Sequence, residues 1–236
     1  MAIDDLPLPV VNFLNVIGVP WPYINEDTVW QFASLVRQFR QAVQTTHQDA
    51  TESVSAIAQA HKSVSTQVMT SGWAKLSAQH VDEIVAGATV LADALEAAGG
   101  YIVAQKAAAV AELVGMAAAF VADQAAAIVT LGASEAALPL IEEAAAKLVE
   151  SLEMDLQQYI AGQVIEAAAK PLFARITSAL SGLDWSKSGV EAGKPAGFSV
   201  DPAAVTAQTA ALRGHAASMR SQAAALAGSV RGLKFS

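Results

Sequence analysis

The chain has 236 residues, 53% of them apolar, with 14 Lys and Arg against 22 Asp and Glu and a formal net charge of −8. The acidic balance argues against nucleic-acid binding, which needs cations to displace counterions from phosphates, and the apolar content excludes intrinsic disorder. Cysteine is absent, so the chain has no disulfide, thiol nucleophile or cysteine-based zinc site.

The first predicted element is an uncharged lead-in, Leu6–Asn25. Its length would suffice to span a bilayer, but prolines interrupt it, and a proline breaks a lipid-exposed helix. Asp4 and Asp5 stand where a secretory signal peptide carries Lys or Arg. We therefore expect an extended, packed lead-in and neither a signal peptide nor a membrane span. The interrupting prolines are Pro7, Pro9, Pro20 and Pro22.

Two long helices are predicted next, over Asp27 to about Val68 and over Trp73–Ala98. Each carries apolar or small residues at every third or fourth position, the spacing of helices that pack lengthwise. The turn motif Ser71, Gly72 and Trp73 lies between them, and Gly99–Gly100 ends the second as a C-cap signal. Residues 1–100 are thus predicted to form the lead-in and an antiparallel helical hairpin.

A second, longer hairpin is predicted over residues 101–184, packed on the first. Its first helix, Tyr101–Leu131, is alanine-rich around most of its circumference, which requires burial or close packing. The break Gly132–Ser134 follows, and the second helix begins near Pro139, a residue favoured in a first helical turn. Pro171 is expected to kink or end this helix.

Residues 185–200 are predicted to be a linker because they are rich in glycine and polar residues. A final amphipathic helix is predicted over 201–236, starting with Asp201 and Pro202. Its apolar seam has no following helix within the sequence. The seam either packs back on earlier helices, pairs with another chain or meets a continuation of the natural protein, which we favour. The candidate partner-facing residues of the seam are Val205, Leu212, Met219, Leu226, Val230 and Leu233.

No motif with catalytic, phosphate-binding or metal-binding chemistry is found in the sequence. His80 and Glu83 share one helical face and could share a metal, but no second ligand pair accompanies them. The adjacent carboxylates of Asp82–Glu83 and Glu142–Glu143 are interpreted as solvated surface. We expect no enzyme activity, no cofactor and no metal.

Three stretches carry a family resemblance: GVPWPYINEDTVWQFASLVRQF (18–39), SGWAKLSAQHVDEIV (71–85) and LADALEAAGGYIVAQKAAAVAELVGMAAAFVADQAAAIV (91–129). Over roughly residues 1–184, the chain resembles the N-terminal WXG100-like domain of actinobacterial polymorphic toxins linked to type VII (ESX) secretion. The family's turn carries Trp-x-Gly, whereas here Gly72 precedes Trp73. Residues 198–233 resemble the first helix of a second such hairpin.

The resemblance implies an all-α fold, an elongated bundle of long antiparallel helical hairpins. It implies a non-catalytic targeting domain that binds a small WXG100-type helical hairpin protein or the secretion ATPase. The protein would be cytoplasmic before export and then secreted or at the cell surface, by a route independent of a signal peptide. The family's export signal, Tyr-x-x-x-Asp/Glu, has no match after the second helix, because the residues four positions after Tyr101 and Tyr159 are Gln105 and Gln163. A partner protein could carry the signal instead.

Two alternatives remain open at this point. The apolar hairpin Tyr101–Leu180 could insert into a membrane or form a channel. The chain could also be a helical scaffold that dimerises through the seam between Val205 and Leu233.

Overall fold

The computed structural model describes residues 5–22, 24–61, 63–130, 138–181 and 202–235. Within these ranges the chain is helical, with short connecting segments and no strand, so the all-α prediction is confirmed. Two π-helical segments occur, at Ser77–Val81 and Ile160–Ala169. The α-helices are α1 (Leu8–Ile17), α2 (Glu26–Ala60), α3 (Val64–Leu76), α4 (Asp82–Thr130), α5 (Leu138–Tyr159), α6 (Lys170–Ser181) and α7 (Pro202–Arg231).

The lead-in was predicted to be extended, and this prediction is wrong because α1 occupies its centre. Pro7 is the N-cap and Pro9 lies in the first turn, where backbone N–H groups have no acceptor within the helix. Gly18 ends the helix with a φ of 70°, and its N–H donates to the Leu14 carbonyl. The remaining two prolines follow this end. The prolines therefore bound a helix and do not break one.

The start of α2 confirms the predicted helix start, but the helix ends at Ala60 instead of near Val68. The Asn25 side-chain oxygen accepts the Thr28 N–H at 3.1 Å, as a capping residue does. The α2 prediction therefore succeeded at its N-terminus and failed at its C-terminus.

A capping box explains where the chain actually turns. The Ser63 hydroxyl accepts the Thr66 N–H at 3.2 Å, and the Thr66 hydroxyl accepts the Ser63 N–H at 3.0 Å. This reciprocal pair satisfies donors of the first turn of α3 and fixes its start at Val64. The predicted turn at Ser71, Gly72 and Trp73 is wrong, because all three lie inside α3.

The predicted helix end at Gly99–Gly100 is also wrong, since α4 continues through both glycines to Thr130. The alanine-rich segment from Tyr101 is thus the second half of one helix. Over Asp82–Ala126, α4 is long and apolar enough to cross a membrane by length and composition, a criterion that the core helix of a soluble protein also meets.

The later helix starts agree with the sequence. Pro139 is the second residue of α5, and Pro202 is the first residue of α7. Pro171 lies in the first turn of α6, directly after the second π-helical segment, so it coincides with a change of helix as predicted. The predicted break at 132–134 and the linker at 185–200 lie outside the described residues.

The chain forms two compact units. Unit 1 comprises residues 1–31, 94–165 and 234–236, and unit 2 comprises residues 32–93 and 166–233. The predicted ranges 1–100 and 101–184 do not coincide with these units, because α2 and α4 each continue from one unit into the other. Fully or almost fully buried apolar side chains form each core: Phe13, Ile102, Leu113, Phe120 and Leu156 in unit 1; Val36, Val43, Val54, Leu91 and Leu172 in unit 2.

Within unit 2, α2 and α4 pack antiparallel. The Arg37 guanidinium donates to the Asp93 carboxylate at 3.4 Å, and the Arg40 guanidinium donates to the Thr89 hydroxyl at 3.3 Å. The later residue of α2, Arg40, contacts the earlier residue of α4, Thr89, so the two helices run in opposite directions. The predicted antiparallel pairing is therefore confirmed here, although α3 lies between the two helices in sequence.

Candidate interaction surface

Of the three predicted turn residues, only Trp73 acts in helix packing within unit 2. Trp73 is half-buried, and its indole N–H donates to the Thr51 hydroxyl of α2 at 2.9 Å. Ser71 and Gly72 are exposed, and a Cβ at Gly72 would meet no atom within 4 Å. The tryptophan therefore fastens α3 to α2, while the glycine fulfils no steric requirement.

His47 completes this contact. Its ring stacks on Trp73 with centroids 5.4 Å apart and planes 18° from parallel, and its Nε2 lies 2.6 Å from the Ser77 hydroxyl. Burial lowers the pKa of His47, and the Asp82 carboxylate partly opposes this shift. The neutral imidazole is thus the form that the folded chain favours.

The stability of the chain should consequently fall as the pH drops below about 6.5, the ordinary histidine pKa. A lowered folded-state pKa means that the unfolded chain binds the His47 proton more readily, so stability is complete above this pH and decreases below it. Melting temperatures measured between pH 7.5 and 5.5 would test this. We expect a shallower slope for His47→Gln, whereas Ser77→Ala, which keeps the imidazole, should retain most of the pH dependence. Equal slopes for all three chains would contradict the assignment to His47.

The predicted seam of α7 is half-buried in the single chain. Leu212, Met219, Leu226 and Val230 are each partly covered, and Leu233, beyond the helix end, is covered to a similar degree. Gln222 lies three residues after Met219 and four residues before Leu226. Its side-chain amide N–H donates to the buried Thr46 hydroxyl of α2 at 2.9 Å. The seam face therefore lies towards α2 within unit 2. Val205 belongs to α7, but its side chain is outside the described part of the structure.

A buried ion pair holds unit 1 together where α2 begins. Lys106 of α4 is 1% exposed and Glu26 is 5% exposed. The Lys106 Nζ lies 3.0 Å from Oε2 of Glu26 and donates to the Ile24 carbonyl at 2.5 Å. Burial lowers the pKa of Lys106, while the Asp5 carboxylate raises it. One α4 side chain thus anchors both the first turn of α2 and the segment before it.

The start of α2 also donates hydrogen bonds to two backbone carbonyls that are far away in sequence, those of Lys234 and Phe235. The Thr28 hydroxyl donates to the Lys234 carbonyl at 2.7 Å, and the Asn25 N–H donates to the Phe235 carbonyl at 3.1 Å. Both donors belong to the start of α2, where N–H and side-chain donors lack helical acceptors. We call these two hydrogen bonds the terminal clasp.

The glycine pair within α4 is explained by Trp30 of α2. The Trp30 indole N–H donates to the Glu96 carbonyl at 3.3 Å, which brings the ring onto Gly99. A Cβ at Gly99 would lie 2.6 Å from Cδ1 of Trp30, a distance that real Cβ atoms essentially never show, whereas a Cβ at Gly100 would meet nothing. Gly99 therefore serves close helix packing and not a helix end.

Unit 1 carries an apolar groove of about 330 Å³ between α1 and α4. The rings of Phe13 and Phe120 form its floor, with centroids 5.2 Å apart. Large side chains at its margin remain open to solvent, with Leu8 71%, Val16 66% and Val121 63% exposed. The full lining is Leu8, Pro9, Asn12, Phe13, Val16, Ala117, Phe120, Val121 and Gln124.

This α1–α4 groove is suited to binding an apolar side chain of another helix. It offers hydrophobic area and only two polar side chains, Asn12 and Gln124, so affinity would come mainly from apolar burial. Among the described residues, no three His, Asp or Glu side chains form a group that could hold a metal ion. The arrangement supports binding to a protein surface.

The comparison with protein families decides the relationship of this chain. The model of the WXG100-like domain matches residues 5–149, which is more than half of the chain. The chain belongs to the WXG100-like domain family. Neither a curated protein nor a solved structure gives a match. The family is associated with type VII secretion, and its members typically interact with other helical proteins.

The match confirms the resemblance at the level of the family. It ends at residue 149, so the likeness of residues 198–233 to a second WXG100-like hairpin stays a prediction. The α1–α4 groove lies entirely inside the matched region. Sequence reasoning missed this groove because the lead-in was predicted to be extended. The available signal was the helical spacing of the apolar residues Val10, Phe13 and Leu14.

Proposed function

We propose that this WXG100-like chain is a non-catalytic targeting domain of a protein exported by a type VII system. In this proposal the domain belongs to an effector or polymorphic toxin, and export takes it from the cytoplasm to the medium or the cell surface. Its partner is a small WXG100-type helical hairpin protein or the secretion ATPase. The observation that supports this proposal most directly is the exposed apolar groove inside the region that matches the family.

The groove predicts how the partner binds. A helix of the partner would place an apolar side chain against Phe13 and Phe120, and the exposed Leu8, Val16 and Val121 would surround it. Such anchors in desolvated pockets carry most of the binding energy in protein interfaces. A charge at the margin of the groove should therefore weaken binding strongly.

We expect Val121→Asp to reduce export about tenfold or more, a loss typical of one damaged interface anchor. The measurement is the amount of protein in the culture medium, with and without a working type VII ATPase. Val90→Asp is the matched control, because Val90 lies on the same helix, is 54% exposed and is outside the groove. Equal export with and without the ATPase would sink the targeting proposal, and equal effects of the two variants would remove the groove from it.

A membrane-inserting or channel-forming role is the second candidate, supported by the length and apolar composition of α4. The inserting hairpin would comprise Tyr101–Leu180. Dye release from liposomes tests this candidate directly, and absence of leakage at every pH between 4 and 8 would exclude it. Self-association through the seam of α7 is a third possibility, and the half-buried state of that seam makes it the weakest of the three.

A further inference from the structure

A face of α7 adjacent to the seam, about 100° around the helix from it, carries three arginines in one line. Arg213, Arg220 and Arg231 are seven and eleven residues apart, and both intervals return to nearly the same angle on a helix with about 3.6 residues per turn. All three side chains are exposed, and none makes an ion pair with a described residue. We call this line the arginine stripe.

The surroundings of the arginine stripe favour contact with another helix. The residues between the arginines on this face are Ala217, Ala224 and Ala227, all exposed. From Pro202 to Arg231 there is no Asp or Glu, although a solvated helix face usually combines both signs of charge. Small side chains allow a second helix to approach closely while its carboxylates reach the guanidinium groups.

Helix α5 carries a complementary set of carboxylates. Glu142, Glu143, Glu150 and Glu153 are exposed and occupy a sector of about 100° on the helix; we call them the glutamate row. Glu143 and Glu150 are seven residues apart, and Glu142 and Glu153 are eleven apart. These are the two intervals of the arginine stripe.

The local partners of the glutamate row leave it strongly acidic. Glu143 pairs with Lys147 at 2.6 Å, and Glu153 accepts the Gln157 amide at 3.0 Å. Met154, 49% exposed, adjoins the row and is an apolar side chain that can fit between the alanines of α7. The charges are therefore opposite, and the shared interval of seven or of eleven residues lets two of the three arginines face two glutamates at once.

We propose that two copies of this chain associate through the arginine stripe of one copy and the glutamate row of the other. Both surfaces are exposed in the single chain, and within the row the Lys147 ammonium neutralises only Glu143. An anionic membrane is a poorer occupant, because the stripe has no large apolar side chain to insert and the chain has a net charge of −8. The association uses a face of α7 adjacent to the seam and does not depend on the targeting function.

Charge exchange in the full chain tests the proposal by sedimentation velocity. The stripe variant carries Arg213→Glu, Arg220→Glu and Arg231→Glu, and the row variant carries Glu142→Lys, Glu150→Lys and Glu153→Lys. The mass of the unaltered protein should rise above the 24.3 kDa of one chain with concentration and fall with salt. Each variant alone should associate about 10- to 100-fold more weakly, since several surface ion pairs become repulsive.

An equimolar mixture of the two variants should restore association, because the reversed stripe of one meets the reversed row of the other. The control, Lys75→Glu with Arg175→Glu, alters charge at exposed residues off α7 and should associate like the unaltered chain. Circular dichroism verifies that every variant is folded. A single-chain mass at all concentrations, or a mixture that fails to associate, would overturn the proposal. Binding of a monomeric chain to phosphatidylserine vesicles, lost in the stripe variant, would also overturn it and assign the stripe to lipid.

Discussion

Replacing Lys106 with methionine should lower the free energy of unfolding by about 3–5 kcal/mol, because it leaves the buried Glu26 carboxylate without its cation. The loss also removes the hydrogen bond to the Ile24 carbonyl. Urea unfolding followed by circular dichroism would measure this change. The ion pairs Arg37–Asp93, Lys147–Glu143 and Lys170–Glu166 are all far more exposed.

A second variant separates the buried charge from lost packing. Lys106→Met combined with Glu26→Gln removes both charges, so it should recover most of the stability that Lys106→Met loses. Lys147→Met is the matched control, since its ion pair with Glu143 is exposed on α5, and it should leave unfolding essentially unchanged. If the double variant were as unstable as Lys106→Met, packing and not the buried charge would explain the loss.

The neighbouring glycines of α4 should respond to alanine with opposite signs. Gly100→Ala should stabilise the chain by up to about 1 kcal/mol, because alanine is the better helix former and the site is open. Gly99→Ala should be less stable than Gly100→Ala by about 2 kcal/mol, because its Cβ would displace the Trp30 indole. Urea unfolding of the two variants provides the comparison.

Removing the Trp30 side chain tests whether its indole is the reason that Gly99→Ala is unfavourable. In a Trp30→Ala background, Gly99→Ala has no indole to displace, so it should become stabilising like Gly100→Ala. A Gly99→Ala effect that stays unfavourable without Trp30 would show that the indole is not the reason for glycine at this position.

Local signals predicted those helix starts that depend on local chemistry. Asn25 caps α2, Pro139 lies in the first turn of α5, and Pro202 begins α7. Each is a residue whose side chain or ring satisfies a helix start by itself. The regular spacing of apolar residues likewise predicted that the chain is helical nearly throughout.

Glycines were the least reliable signals, because a glycine can serve different purposes. Gly72 interrupts nothing, and Gly99 admits Trp30, which lies far away in sequence. The Ser63–Thr66 capping box was readable but does not have the usual Glu or Gln at its third position. The missed part of the candidate site has another cause, since the groove requires α1 to be a helix and the prolines of the lead-in were interpreted as helix breakers.

The terminal clasp joins Thr28 to Lys234 across 206 positions of sequence. Closing so long a loop has an entropic cost that grows with its length, by about 0.6 kcal/mol for each doubling. Because a ribosome releases N-terminal residues first, the first turn of α2 emerges long before the carbonyls that accept its hydrogen bonds. Unit 1 therefore cannot form its terminal clasp until residues 234 and 235 have been made, although most of its other residues emerge earlier.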